Sequence, residues 1–147
     1  MEQKAEIITL GVRDLDASRA FYIDGLGWEA ALDVPGEVIF IQIGHGLLLS
    51  LWGIDDMVEE AGDVGFGPKA PTVAFGHLVE SPEAVAETID AAVAAGGELV
   101  TPATERDWGG TSGHFADPDG YRWEVAFNPG FKVDESGKVS IGAVEEQ

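Results

Sequence analysis

The order strand, helix, strand, strand, strand can be read twice along this chain, and that repetition restricts its possible folds more than any other feature. Ile7 to Val12 is a β-branched apolar run of strand length. Asp14 then offers a helix cap, Ala17, Ala20 and Phe21 form one apolar stripe, and Gly25 and Gly27 stop the helix. Strands are predicted over Glu29–Asp33, Val38–Ile43 and Leu47–Trp52, separated by Pro35-Gly36 and Gly44-His45-Gly46, both of which are turn chemistry.

A Gly-rich connector from Gly62 to Ala70 precedes the second cycle. Thr72–Val79 reads as a strand, and Ser81-Pro82-Glu83 supplies an N-cap, a proline at the first helical position and an acid in the first turn. Val85, Ile89, Ala92 and Val93 keep helical spacing until Gly96-Gly97, and strands then fit Glu98–Thr101, Ser112–Ala116 and Tyr121–Phe127. Placing Val12-Arg13-Asp14 on Val79-Glu80-Ser81 superposes the cycles at an offset of about 67 residues, as an internal duplication would. Beyond Pro129, Phe131–Asp134 and Lys138–Ile141 flank Glu135-Ser136-Gly137 as a short hairpin would, and the acidic end is expected to fray.

Composition narrows the chemistry. The chain has 147 residues, room for one domain with a sizeable core. It has no cysteine, which excludes disulfides, thiolate nucleophiles and cysteine-bound zinc. A formal charge of −19 opposes nucleic acids and anionic membranes, and the eight Lys and Arg residues form no cluster to override it. No apolar run reaches membrane-span length, and the polar start Met1-Glu2-Gln3-Lys4 lacks the pattern of a secretory signal, so a cytoplasmic protein is expected. Phosphate-loop, dinucleotide and Gly-x-Ser-x-Gly patterns are missing from the sequence.

Two stretches resemble the vicinal-oxygen-chelate superfamily of glyoxalases, bleomycin resistance proteins and dioxygenases. They are Val12 to Tyr22, continuing to Leu26-Gly27-Trp28, and Phe115 to Val125, which includes Asp117-Pro118-Asp119-Gly120. The resemblance implies an α+β fold in which paired βαβββ modules form a half-barrel sheet around a pocket. One domain over residues 1–128 follows, with module one at about 6–53, module two at about 72–128, and 129–147 as a C-terminal extension. It also implies a homodimer. Asp117-Pro118-Asp119-Gly120 itself reads as a tight turn, and Phe21, Tyr22 and Trp28 as anchors of the first helix.

In metal-dependent relatives four strand positions carry His, Gln or Glu. Here they fall on Ile7, near Ser50, on Ala74 or Thr72, and on Glu124, so only the last keeps a carboxylate. No cofactor is therefore expected; the alternative is a divalent metal ion held by Glu124 and His77, which would need a strand bulge to turn His77 inward. His45 and His114 read as ordinary histidines that keep acid–base capacity.

Alternation along the last strand puts Tyr121, Trp123, Val125 and Phe127 on one face and Arg122, Glu124 and Ala126 on the other. With Glu124 on the pocket side, Thr9, Ser50, Trp52, Trp108, Arg122 and Glu124 are the expected ligand contacts, while Leu49, Leu51, Trp123 and Val125 point beneath the helices. Arg122 and Glu124 can equally form a polar pair at the rim. Two functions follow: metal-free binding or sequestration of a small, partly aromatic molecule such as an antibiotic, or a lyase, isomerase or dioxygenase in which Glu124 is the catalytic base or an incomplete ligand.

Overall fold

The computed structural model describes residues 1–142; the far end of the acidic tail, residues 143–147, lies outside the described residues. The chain forms two compact units, Met1–Lys69 and a second from Ala70, each built on a four-stranded mixed sheet that does not close. The fold is α+β, with the βαβββ order present in both units.

In the first unit β1 (Ile7–Val12) runs parallel to β4 (Leu47–Gly53), and β3 (Val38–Gly44) and β2 (Ala30–Val34) continue antiparallel, giving the order β1-β4-β3-β2. Helix α1 (Leu15–Arg19) starts where Asp14 Oδ1 accepts from the backbone N–H of Asp16 at 2.9 Å and of Ala17 at 3.4 Å. It then widens into a π-helical turn over Ala20–Gly25, in which Leu26 N–H donates to Phe21 O at 2.8 Å. The widening buries Phe21 and Tyr22 side by side, their rings edge-on at 4.8 Å, with Trp28 at 5.6 Å from Tyr22. Leu10, Val12, Ile39, Ile41, Leu49 and Leu51 are buried on the side that receives them. Each such side chain contributes about 1.5–3 kcal/mol by leaving water.

Helix α2 (Ile54–Ala61) lies where the sequence pattern predicts no element. Ile54, Met57, Val58 and Ala61 have the i, i+3, i+4, i+7 spacing of a helical stripe, but the N-cap is Gly53, which has no side chain to announce it. The helix rests on β1 at Gly11, where a Cβ would meet Ile54 Cδ1 at 2.9 Å and Met57 Sδ at 3.0 Å.

In the second unit β5 (Ala74–Leu78) runs parallel to β8 (Arg122–Phe127), followed antiparallel by β7 (Thr111–Ala116) and β6 (Glu98–Glu105), in the order β5-β8-β7-β6. Helix α3 (Pro82–Ala94) begins as expected, with Ser81 Oγ accepting from Ala84 N–H at 3.1 Å, and buries Val85, Ile89 and Ala92. It covers the face holding Val125, Gly113 and Trp123, whose ring lies 4.8 Å from Phe75 and 6.3 Å from Phe115. Strand β6 runs four residues past its predicted end, with register shifts on both sides of Thr101, because Pro102 is tolerated on an edge strand where a bulge removes the need for its N–H.

Between β7 and β8, Asp117 Oδ1 accepts from Asp119 N–H at 3.0 Å and Tyr121 N–H at 2.9 Å, and Gly120 takes φ +89°, so this acidic stretch is a turn. The expected hairpin forms as β9 (Phe131–Val133) and β10 (Val139–Ile141), its turn held by Asp134 Oδ1 accepting from Ser136 and Lys138. Among the described residues no helix is long and apolar enough to cross a membrane.

Candidate functional site

The face of the second sheet opposite α3 carries one polar row. Register sets Glu124 of β8 between Gly76 of β5 and His114 of β7, with Thr101 of β6 beyond. His114 Nδ1 is 2.8 Å from Thr101 Oγ1, and Nε2 is 3.5 Å from Glu124 Oε2. Beside Glu124, a Cβ on Gly76 would meet nothing within 4 Å, so that part of the face is open.

One turn of alternation further along lies a cavity of about 290 Å³, lined by Leu78, Trp108, Glu124, Ala126, Asn128 and Phe131. Trp108 reaches it from the β6–β7 loop, which is closed by Arg106 N–H donating to Gly110 O at 2.9 Å and Gly109 N–H to Arg106 O at 3.1 Å. Gly109 takes φ +93°, a conformation that favours glycine. Gly110 lies under the Trp108 ring and against the Phe127 carbonyl, where a Cβ would overlap both. Phe131 arrives because the chain reverses after β8, Asn128 Oδ1 accepting from Gly130 N–H at 2.9 Å. Four of the six lining side chains are apolar, and Glu124 is the only charged one among them.

Of the expected contacts, Trp108 and Glu124 are brought together here. Arg122 shares their sheet face but does not line the cavity; its Nη1 donates to Gly120 O at 2.9 Å, so the rim pair with Glu124 gives way to a turn contact. In the first unit Thr9 lies opposite Ser50 and Trp52 opposite Gly11, on the face turned from the buried Leu49 and Leu51. Ser50 is only 3% exposed, and α2 stands on this same face at Gly11, which the sequence reading left open. A depression of about 340 Å³ in that unit is lined by Arg13, Asp14, Asp16, Asp55 and Asp56 among others, not by Thr9, Ser50 or Trp52.

The sequence reading places neither Phe131 nor Asn128 at the site, because it treats the segment beyond residue 128 only as an extension with a short hairpin. The signal was Asn128-Pro129-Gly130, a turn that sends the next aromatic residue back along the strand it has just left. The partnership of His114 with Glu124 depends on strand pairing, which a list of residues does not contain.

The donor set does not fit a divalent ion. His77 pairs with Val125 and so projects to the α3 face while Glu124 projects to the other; the alternative ligand pair is therefore not brought together, and no bulge interrupts β5 to turn His77 over. Loss of solvation instead lowers the His77 pKa below its ordinary value, favouring the neutral ring. Ile7 and Ala74 have no donor atoms, and among the described residues no three His, Asp or Glu side chains converge closely enough to hold a metal. The carboxylate, imidazole and hydroxyl of the Glu124–His114–Thr101 row fall short of the six oxygen or nitrogen ligands such ions take.

Duplicated βαβββ modules with a cavity on an open sheet face define a class of small α+β proteins that vary the pocket on a common frame. The family model of the Glyoxalase/Bleomycin resistance protein/Dioxygenase superfamily matches residues 5–125, and the chain belongs to that superfamily. It is similar to a glyoxalase-related enzyme from Fulvimarina pelagi, with 39% identity, 97% of this chain and 100% of that chain covered, and a TM-score of 0.86. A glyoxalase/bleomycin resistance protein/dioxygenase from Nocardioides is 25% identical, covering 92% of this chain and 91% of its own, with a TM-score of 0.73. Lactoylglutathione lyase from Agrobacterium tumefaciens, 24% identical over 86% of this chain and 95% of its own at a TM-score of 0.64, shares the fold. No curated protein matches the chain.

Proposed function

We propose that this protein binds a small, planar aromatic molecule in the cavity between Trp108 and Phe131, above Glu124, and does so without a metal ion. The observation that carries this reading is the cavity itself: an indole and a phenyl ring, two aliphatic side chains and two polar ones, the mixture of apolar wall and sparse orienting groups found in ligand pockets. Its volume, about 290 Å³, suits a ligand of one or two fused rings. Sequestration of an antibiotic or other secondary metabolite is the biological role this reading favours.

Isothermal titration with bicyclic aromatics of differing charge tests it. Binding by at least one, lost in Trp108→Ala, is the expected result; no binding by any overturns it. The same reading includes a homodimer, supported by the exposed apolar Val73 just before β5 and by Val133, Val139 and Ile141 on the hairpin. Sedimentation at micromolar concentration showing only the 15.5 kDa chain would remove the dimer.

One observation favours a second reading. In the Thr101–His114–Glu124 row a carboxylate at the cavity has an imidazole 3.5 Å behind it, itself held by a hydroxyl, a pair that would serve as general base and proton acceptor once it closes to hydrogen-bond distance. A lyase or isomerase using Glu124 would lose turnover in Glu124→Gln while retaining its ligand.

A further inference from the structure

We propose that the molecule this cavity selects is a planar aromatic cation, with Glu124 as its counter-charge; the inference rests on the binding function proposed above. Among the described residues Glu124 is the only charged group lining the cavity, and its side chain is 43% exposed before any ligand enters. A neutral ring filling the space would strip water from the carboxylate and return nothing, a cost that buried unpaired charges carry at full weight. An anionic ring would add repulsion to that cost.

A cation reverses both terms. It meets the carboxylate below and the faces of Trp108 and Phe131 beside it, rings whose quadrupoles attract positive charge. The two arginines of the same sheet and its loop are engaged by other groups. Arg122, on the same face, is turned to the Gly120 carbonyl, and Arg106 Nε donates to Ser112 Oγ at 2.9 Å. Among the described residues, the side chain paired with the carboxylate is His114, and at 3.5 Å its ring does not close a hydrogen bond with it. The formal charge of −19 adds a long-range bias toward cations, which must be separated from the local effect.

The experiment compares N-methylquinolinium, quinoline and 2-naphthoate, similar bicycles bearing positive, zero and negative charge, by isothermal titration at about pH 8, above the ordinary histidine range. It is run in ~1 M NaCl, where the screening length is ~3 Å and the distant charges fall silent. N-methylquinolinium is expected to bind about tenfold more tightly than quinoline, with 2-naphthoate weaker than both. Glu124→Gln is expected to reduce the cation to the affinity of quinoline.

Equal binding of N-methylquinolinium and quinoline, or an unchanged preference in Glu124→Gln, overturns the cation proposal while leaving an aromatic-binding cavity in place. Absence of binding by all three overturns the binding function as well. The charge series on the unmodified protein decides the question even if Glu124→Gln does not fold.

Discussion

Gly110→Ala probes how the loop sets Trp108 over the cavity. Residue 110 has an ordinary backbone φ, so the cost of a side chain there is one of space. An added Cβ overlaps the Trp108 ring, meeting Cη2 at 2.8 Å and Cζ3 closer still, and overlaps the Phe127 carbonyl at the end of β8. The ring can swing aside, but a strand carbonyl cannot without disturbing its ladder. Overpacking of this kind costs about 1–3 kcal/mol, and here it should also expel the indole from the cavity wall.

Urea unfolding gives the stability loss and titration with N-methylquinolinium gives the binding loss. Repeating the substitution in a Trp108→Ala background separates the two clashes, because only the carbonyl remains to be met. The penalty there should be smaller by at least about 0.5 kcal/mol, the coupling expected of residues in direct contact. A Gly110→Ala protein within about 0.5 kcal/mol of the parent and unchanged in binding would refute the placement of Trp108.

Trp123→Ala should cost about 3–5 kcal/mol, since the ring is buried between Phe75 and Phe115, whereas Trp108→Ala should cost no more than about 1 kcal/mol; equal losses in parallel urea melts would contradict the assignment of faces. Desolvation lowers the His77 pKa from 6.5, so between its folded and unfolded values the unfolded chain holds more protons; stability should be level above about pH 6.5 and fall as the solution is acidified through that window. Thermal melts across this range should show a shallower fall in His77→Phe, and an identical slope would reject the cause. Arg19 grips Asp33 through two bonds, at 2.6 and 2.7 Å, and this contact holds the Asp33 carboxyl below its ordinary pKa. Arg19→Leu should therefore lower stability at neutral pH by about 0.5–1 kcal/mol, an effect that disappears once acid protonates Asp33; a loss that persists in acid would point to packing instead.

Most of the frame could be read from residues because its signals are local. Asp14 and Ser81 cap the helices they announce, Asp117 folds its own turn, and period-two alternation puts Leu49, Leu51 and Val125 under the helices. Helix α2 escaped because Gly53 gives no cap and because an eight-residue stripe is short beside the strand it follows. The site was half legible: Glu124 and Trp108 have chemical signatures, but their meeting with Phe131 depends on how the chain reverses after Asn128. The polar row through Thr101, His114 and Glu124 depends on register across β6, β7 and β8, which is a tertiary fact with no short-range trace. The widened turn after α1 was likewise invisible, since both helix types bury Phe21 from the same stripe.

The central claim is that the Trp108–Glu124–Phe131 cavity is the ligand site. Each of the four tryptophans has an indole N–H that gives its own nitrogen–proton resonance, and Trp28, Trp52, Trp108 and Trp123 sit in separate surroundings. Titration of labelled protein with N-methylquinolinium should shift the Trp108 indole resonance in step with binding while those of Trp28 and Trp123 stay in place. A Trp108 resonance that does not move at saturation, or one that moves no more than those of Trp28 and Trp123, would contradict the account.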